Sequence, residues 1–467
     1  MRLKKNFRGV VMQHLLLDMK AVLKRQRDKV YFAVPSNFFW SAGSRRYYNF
    51  LMKSQWWSYE ELRRLQMKKL SNLLEFVYKY VPFYRNFFNE RKMQPRDIQT
   101  LDQLKILPII DKTFVNDNYN EFVPEYQFEK VLPARTSGSS GESLTFKYSP
   151  EYLDIKNAAN YRSYKWADKK WTDRTCSLKV PYNDCSDSVR FKRDFKTKNW
   201  SINTANLDDA AINRIIDIIN DIKPDVIAGF PSVIYLTAVV MKEEKREFKK
   251  RLKAIFTVGE IFTDEMRAFI EKIIGTKTYD WYGVTEGCAA AAQCEHGGYH
   301  MNVEYCYVET IEKNNLSHIV GTNLVNWAFP LIRYDTGDIG NLFEGRCSCG
   351  RELPLMKTIA GRCTNFIYTS SGKKYFYSSF FSKIHETPIR EYRIIQEKID
   401  SVDLLIVPKP SFSRSDLDGI IVNLKKALGE QMTINARFID KIERSQRGKH
   451  QVVVCKLPRN GEYCQED

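Results

Sequence analysis

The residues of this chain that could do chemistry lie in short glycine- and hydroxyl-bearing segments, in a fixed order along the sequence. The first is Thr136-Ser137-Gly138-Ser139-Ser140-Gly141, within VLPARTSGSSGESLTF. Its backbone N–H and side-chain O–H groups suit an anion, and glycine lets the chain approach phosphate oxygens closely. A flexible Ser/Gly turn is the plainer alternative, and no Lys-Ser or Lys-Thr follows the last glycine as it would in a GxxxxGK[ST] loop. Four more segments follow in order: Val258-Gly259-Glu260, Trp281-Tyr282-Gly283-Val284-Thr285-Glu286, Arg333-Tyr334-Asp335-Thr336-Gly337-Asp338 and Gly361-Arg362. Near the end, Arg444-Ser445-Gln446-Arg447-Gly448-Lys449 sets a lysine after a glycine in an exposed loop. Taken singly, each of these is an ordinary turn or a solvated loop.

A second constellation is built of sulfur and imidazole. Cys347-Ser348-Cys349-Gly350 is a tight Cys-x-Cys turn, and Cys294-Glu295-His296-Gly297-Gly298-Tyr299-His300 lies upstream. Two thiolates with one more cysteine and a histidine complete a tetrahedral site of zinc type. The favoured set is Cys294, His300, Cys347 and Cys349, with His296 competing. The spacing is not that of paired CxxC units, so reduced buried thiols are the alternative.

These segments need elements to position them. Residues 59–90 read as a helix leading into Val81-Pro82-Phe83-Tyr84, where proline stops the pattern. Between 150 and 275, helix-like segments at 207–221, 233–250 and 263–274 alternate with apolar runs such as Val226-Ile227-Ala228-Gly229 and Ala254-Ile255-Phe256-Thr257-Val258. That alternation predicts an α/β layered domain, in which Val258-Gly259-Glu260 ends a strand and the Thr-Gly-Asp segment is a turn. Strand-like pieces follow at Tyr305–Ile311 and His318–Val325, and beyond Gly361 the pattern is β-rich with one helix, Arg414–Leu428. The simplest partition is a large α/β domain, 1–360, and a small α+β domain, 361–467. The first includes a basic helical extension over 1–58 and the candidate zinc site within 290–350.

The chain has 467 residues and a formal net charge of +17, which favours anionic partners without choosing among them. There is no apolar run of the ~20 residues that a membrane span needs, and no signal peptide is expected from the pattern of the first thirty residues. A cytoplasmic location is expected, with the 10 cysteines reduced unless they bind metal. Val11, Leu15, Met19 and Val22 form a helical stripe flanked by Lys4, Lys5, Arg8, Lys20, Lys24, Arg25 and Arg27. Such a helix either packs on the protein's own core, the simpler reading, or lies on the anionic inner face of the cell membrane as a peripheral contact.

Taken together and in order, the Ser/Gly loop, YGxTE, TGD, Gly-Arg and terminal Gly-Lys segments resemble the adenylate-forming superfamily. VPFYRNFF, QPRDIQTLDQLKILPIIDK and Gly229-Phe230-Pro231-Ser232 narrow the resemblance to the phenylacetate–CoA ligase family and its CapK-like branch, often associated with surface-polysaccharide biosynthesis. The resemblance implies a large adenylation domain with a small mobile C-terminal lid. It implies an ATP- and Mg²⁺-dependent ligase that turns a carboxylic acid into an acyl-adenylate and transfers it to CoA. Thr136–Gly141 would hold the β- and γ-phosphates, while Gly259, Glu260 and Gly283 line the base pocket and Tyr282 stacks on the base. Thr285 would meet the α-phosphate, Glu286 ligate Mg²⁺, Asp338 accept the ribose hydroxyls and Arg362 add a ribose or phosphate contact. Lys449 would bridge carboxylate and α-phosphate. Relatives also carry a structural Cys/His zinc site at this place.

Two departures stand out: Glu142 occupies the place of a common loop lysine, and Thr364 that of an acidic or lysine hinge residue. They keep open an enzyme that has lost one half-reaction. The CapK-like flavour offers a sugar amine or hydroxyl as the acceptor in place of CoA. A non-catalytic basic binding protein is the alternative of another class. No helix-turn-helix, aromatic RNA-reading motif or finger spacing supports nucleic acid as its partner.

Overall fold

Buried parallel strands read as unbroken apolar runs, because helices cover both of their faces. Four parallel strands lie side by side, Thr175–Leu178, Val226–Gly229, Ala254–Val258 and Thr278–Gly283, with Asn199–Ile202 beyond the first. The structure is a computed structural model that describes residues 34–136, 143–179, 191–194, 196–205, 207–313, 316–362, 366–369, 371–372, 374–376, 387–444 and 449–457. The basic N-terminal stripe, Ser137–Glu142 and Thr364 lie outside the described residues.

Beyond Thr278–Gly283 the sheet turns antiparallel, through Ala290–Gln293, Tyr299–Met301, Leu355–Arg362, Tyr334–Phe343, Leu316–Asn323 and Cys306–Lys313. Among the described residues this makes one twelve-stranded sheet, with Phe191–Asp194 at its far edge. Helices Asp209–Ile222 and Pro231–Glu243 pack against the parallel part. The first is capped by Asp208, which accepts from Ala211 N–H, and buries Ile212, Ile215, Ile216 and Ile219. The second starts at proline, which suits the first helical position because that N–H needs no partner there.

Three local readings of the sequence are corrected. Pro82 does not merely end a helix: Tyr59–Tyr80 stops, Val81 is extended, and Pro82 opens a new helix, Pro82–Glu90. The segment read as helix to 250 ends at Glu243, and Lys245 takes a left-handed φ of 51°. The Thr-Gly-Asp segment lies inside the strand Tyr334–Phe343, as a bulge. Val320 opposes Asp335 and His318 opposes Ile339, so Thr336, Gly337 and Asp338 face a single partner residue. Gly337 absorbs the kink at φ 71°, and Thr336 Oγ1 donates to Ile319 O at 2.8 Å.

A second sheet of four strands runs in the order Thr433–Phe438, Ser401–Pro408, Ile389–Lys398, Val453–Cys455. Helix Arg414–Leu428, opened by a Ser413/Asp416 capping box, buries Leu417, Ile420, Leu424 and Leu428 in the apolar cluster that also holds Ile394, Leu404 and Ile406. No helix among the described residues is long and apolar enough to cross a membrane.

Candidate active site and metal centre

The parallel strands end on one side, and the segments singled out in the sequence leave from those ends. Val226–Gly229 runs into Phe230-Pro231-Ser232, Ala254–Val258 into Gly259-Glu260, and Thr278–Gly283 into Val284-Thr285-Glu286. Ligands of open α/β sheets bind at such carboxyl ends. Here the ends open into a cleft of about 920 Å³. Thr136, Gly259, Glu260, Tyr282 and Gly283 line it, as do Thr285, Glu286, Asp338, Arg362 and Lys449.

Ser137, Gly138, Ser139, Ser140 and Gly141 lie outside the described residues, but their two flanks are defined. Strands Leu132–Arg135 and Thr145–Tyr148 pair antiparallel, and Thr136 closes the pair with two bonds to Leu144. Its N–H donates to Leu144 O and its Oγ1 accepts from Leu144 N–H, both at 2.9 Å.

Glu286 is buried, and Tyr334 Oη donates to one of its oxygens at 2.9 Å. Asn323 Nδ2 donates to the carbonyl of Gly287 at 3.1 Å, while Tyr148 Oη donates to that of Thr285. The turn after Glu286 needs glycine twice over: Gly287 has φ 75°, and a Cβ there would lie 2.1 Å from Tyr152 Oη. A carboxylate fixed this way at the cleft wall is a suitable hard-cation ligand, so the residues present fit Mg²⁺.

Asp338 leaves the bulge toward Tyr282, whose Oη donates to Oδ2 at 3.0 Å, and Oδ1 lies 3.4 Å from Arg362 Nε. Asp338 and Arg362 stand opposite one another in strands Tyr334–Phe343 and Leu355–Arg362. Arg362 therefore belongs to the large sheet. The Asp338 carboxylate pushes the Arg362 guanidinium further up, and burial followed by Asp338 pushes the Tyr282 phenol up, so both remain donors.

Lys449 reaches the cleft from the other side. Gly259 has φ 82°, which L side chains rarely adopt, and a Cβ there would press on the Phe230 ring at 3.2 Å while meeting Lys449 Nζ in ordinary contact at 3.6 Å. Glu260 turns its carboxylate to backbone donors, accepting from Ser232 N–H at 3.1 Å and from His450 N–H at 2.7 Å.

Cys294, His300, Cys347 and Cys349 bring their donor atoms within 4.8 Å of one another. Cys294 Sγ lies 3.6 Å from Cys347 Sγ, and Cys349 Sγ 3.2 Å from His300 Nε2. His300 Nδ1 faces Leu353 O at 3.2 Å, which fixes the tautomer that leaves Nε2 for a metal. Burial pulls the imidazole down to about 4, so it stays neutral. The residues therefore fit a metal ion. His296, the competitor, sets Nδ1 3.0 Å from Ser348 Oγ and is not among the four.

Several members of the site have no role assigned from the sequence, although Ser232, Tyr334 and Arg444 lie within segments named above. Tyr148 and Tyr334 look like core aromatics, and Ser232, Arg444 and His450 look like surface polar residues. Arg444 Nη1 donates to Ser232 Oγ at 2.9 Å, and its Nη2 forms a buried ion pair with Glu391. Adjacency is a further cue, since Tyr334 precedes the Thr-Gly-Asp bulge and His450 follows Lys449.

Comparison with known proteins gives a consistent relationship. The CapK C-terminal domain family matches residues 367–456. The chain is 25% identical over 329 residues to a phenylacetate-coenzyme A ligase of Thermus thermophilus, covering 66% of this chain and 72% of that protein. It is 22% identical over 426 residues to protein CapK of Staphylococcus aureus, covering 85% and 92%. Among solved structures, 2-hydroxyisobutyryl-CoA ligase in its postadenylation state with R3-HIB-AMP superposes with a TM-score of 0.67 at 18% identity, over 86% of this chain and 91% of that one. By sequence and by fold, the chain resembles the phenylacetate–CoA ligase and CapK branch of the AMP-forming, adenylate-forming ligases.

Proposed function

We propose that this chain activates a carboxylic acid with ATP, forming acyl-adenylate and pyrophosphate, and passes the acyl group to CoA. One observation carries the reading: residues from segments as distant as Thr136 and Lys449 line one cleft at the carboxyl ends of parallel strands. In the first half-reaction a carboxylate oxygen attacks the α-phosphorus and the bond to pyrophosphate breaks. The chain's task is to neutralise two approaching anions with preorganised donors, which act strongly where water is excluded. Lys449, against the bare Gly259, meets the new P–O bond as a point charge. Thr285 donates to the α-phosphate, and the loop beginning at Thr136 holds the leaving phosphates. Glu286 would hold Mg²⁺, which supplies charge neutralisation at the phosphates.

On the nucleoside side, Tyr282 packs on the base beside Gly259 and Gly283. Asp338 accepts the ribose hydroxyls, with Arg362 keeping it oriented. In the second half-reaction the thiol sulfur attacks the acyl carbon, AMP leaves, and the thiol proton passes to solvent. A small domain that follows the strand Leu355–Arg362 would turn between the two halves. Cys294, His300, Cys347 and Cys349 would hold a structural zinc, with no position left open for substrate.

The alternative acceptor that the CapK-like resemblance implies is a sugar amine or hydroxyl in place of CoA. Pyrophosphate exchange against a panel of aryl, fatty, hydroxy, amino and uronic acids tests the first half, with Lys449→Ala as control. Exchange that depends on one acid and on Lys449 supports adenylation, and silence across the panel removes it. CoA and amino-sugar acceptors added to the active acid then decide the second half.

A further inference from the structure

The two bonds made by Glu260 cross the boundary that the chemistry depends on. Its anchor is the large domain: Ser232 N–H, accepted at 3.1 Å, lies in the first turn of the helix Pro231–Glu243. Unpaired N–H groups and the helix dipole make that end a stable seat for a carboxylate. The other oxygen accepts His450 N–H at 2.7 Å, and His450 follows Lys449 directly in the small domain. Lys449 itself lies over Gly259, the residue before Glu260. The large domain therefore grips the lysine-bearing segment by its backbone at the next residue, with the lysine side chain alongside Gly259.

We infer that Glu260 is the positioning residue for Lys449, its carboxylate docking the His450 backbone on the helix N-terminus and so aiming the lysine into the cleft. The inference rests on the reading of Lys449 as the adenylating lysine. It differs from the expectation that Glu260 only lines the base pocket. A carboxylate suits the task because it accepts two N–H groups at once and donates to neither. Glutamine keeps the shape but turns an N–H toward one of the two donors. Arg444, whose Nη1 reaches Ser232 Oγ at 2.9 Å, is a second strap on the same loop. Its removal would also strand the buried Glu391, so Glu260 gives the cleaner test.

The experiment uses the full chain with Glu260→Gln and Glu260→Ala. Two half-reactions are measured separately, acid-dependent ATP–pyrophosphate exchange and acyl transfer from chemically made acyl-adenylate. The expected result is a fall in the exchange kcat on the order of 10- to 100-fold for Glu260→Ala, the size of effect that misplacing a catalytic group by about an ångström produces. Glu260→Gln should fall in between, and the KM for preformed adenylate should hold within about twofold. A residue that merely lines the base pocket would weaken ATP and preformed adenylate alike, and that outcome overturns the inference. So does exchange at the wild-type rate in Glu260→Ala while Lys449→Ala is inactive.

Amide hydrogen exchange on the peptide 449–457 supplies a readout independent of activity. It should speed up in Glu260→Ala while the peptide 401–408, inside the small sheet, stays protected. Equal protection of 449–457 in wild type and variant overturns the inference. Wild-type silence with every acid, together with loss of protection in the variant, would instead remove the adenylation reading and leave the docking contact standing.

Discussion

The two walls of the cleft are held in different ways. On the large-domain wall, Asp338 sits in a continuous sheet and Glu286 in the turn between two of its strands, and their partners Tyr334, Tyr282 and Arg362 come from the same sheet. On the opposite wall, Lys449 belongs to a loop beside the small sheet and is held across the seam through Glu260 with His450 and Ser232 with Arg444. A wall made of sheet would keep its geometry if the domains separated, whereas a wall docked by a few hydrogen bonds could leave. That is the arrangement a two-step ligase requires if its lysine is to act in one step and withdraw for the other.

Four measurements would break or sharpen this contrast. The largest effect should come from the movable wall. Lys449→Ala is expected to cut pyrophosphate exchange on the order of 10²–10³-fold, the scale for removing one preorganised transition-state donor. Its effect on transfer from preformed adenylate should be far smaller, and equal losses in both would end the view of a lysine that serves one step.

The fixed wall should fail in binding. Asp338→Ala removes the acceptor for the ribose and strands Arg362, so the KM for ATP should rise about ten- to a hundredfold, as expected for hydrogen bonds to a charged group. An unchanged KM would dismiss the ribose role. Further from the chemistry, metal analysis should find one zinc per chain. Cys349→Ser or a strong chelator should lower the melting temperature by roughly 5 °C or more, because a structural metal contributes folding free energy. Metal-free protein with an unchanged transition would leave four packed thiol and imidazole groups and no centre.

The smallest effect should come from the rim of the seam. Lys409 pairs with Glu243 at 2.9 Å, but both side chains keep part of their solvent exposure. Such pairs contribute about 0–1 kcal/mol, so Lys409→Ala should leave exchange within about threefold. A larger loss would mean that docking is spread over the whole rim and not concentrated at Glu260.

The parts of the fold legible in the sequence were those governed by local pattern. Val226–Gly229 and Ala254–Val258 are unbroken apolar runs between helices, and they are strands with those bounds. Arg414–Leu428 has a Ser413/Asp416 capping box and apolar residues at helical spacing, and it is a helix with those bounds. Thr-Gly-Asp was misread because glycine and aspartate signal a turn and a bulge equally well. Only the strands on both sides, Leu316–Asn323 and Leu355–Arg362, make it a bulge. Pro82 was half legible, since proline ends one helix and starts another by the same missing N–H.

The sequence by itself determined the kinds of donor and acceptor available and the order in which the chain presents them: hydroxyls at Thr136, carboxylates at Glu286 and Asp338, cations at Arg362 and Lys449. It also determined which short runs must be buried. Only the tertiary structure decided which of these groups meet. Periodicity records the face a residue presents and says nothing of the distant residue packed against that face. Glu260 therefore reads as a base-pocket residue until the fold brings it between Ser232 and His450. Likewise, Cys294 and His300 come into one cluster with Cys347 and Cys349 only because Tyr299–Met301 pairs with both Ala290–Gln293 and Leu355–Arg362.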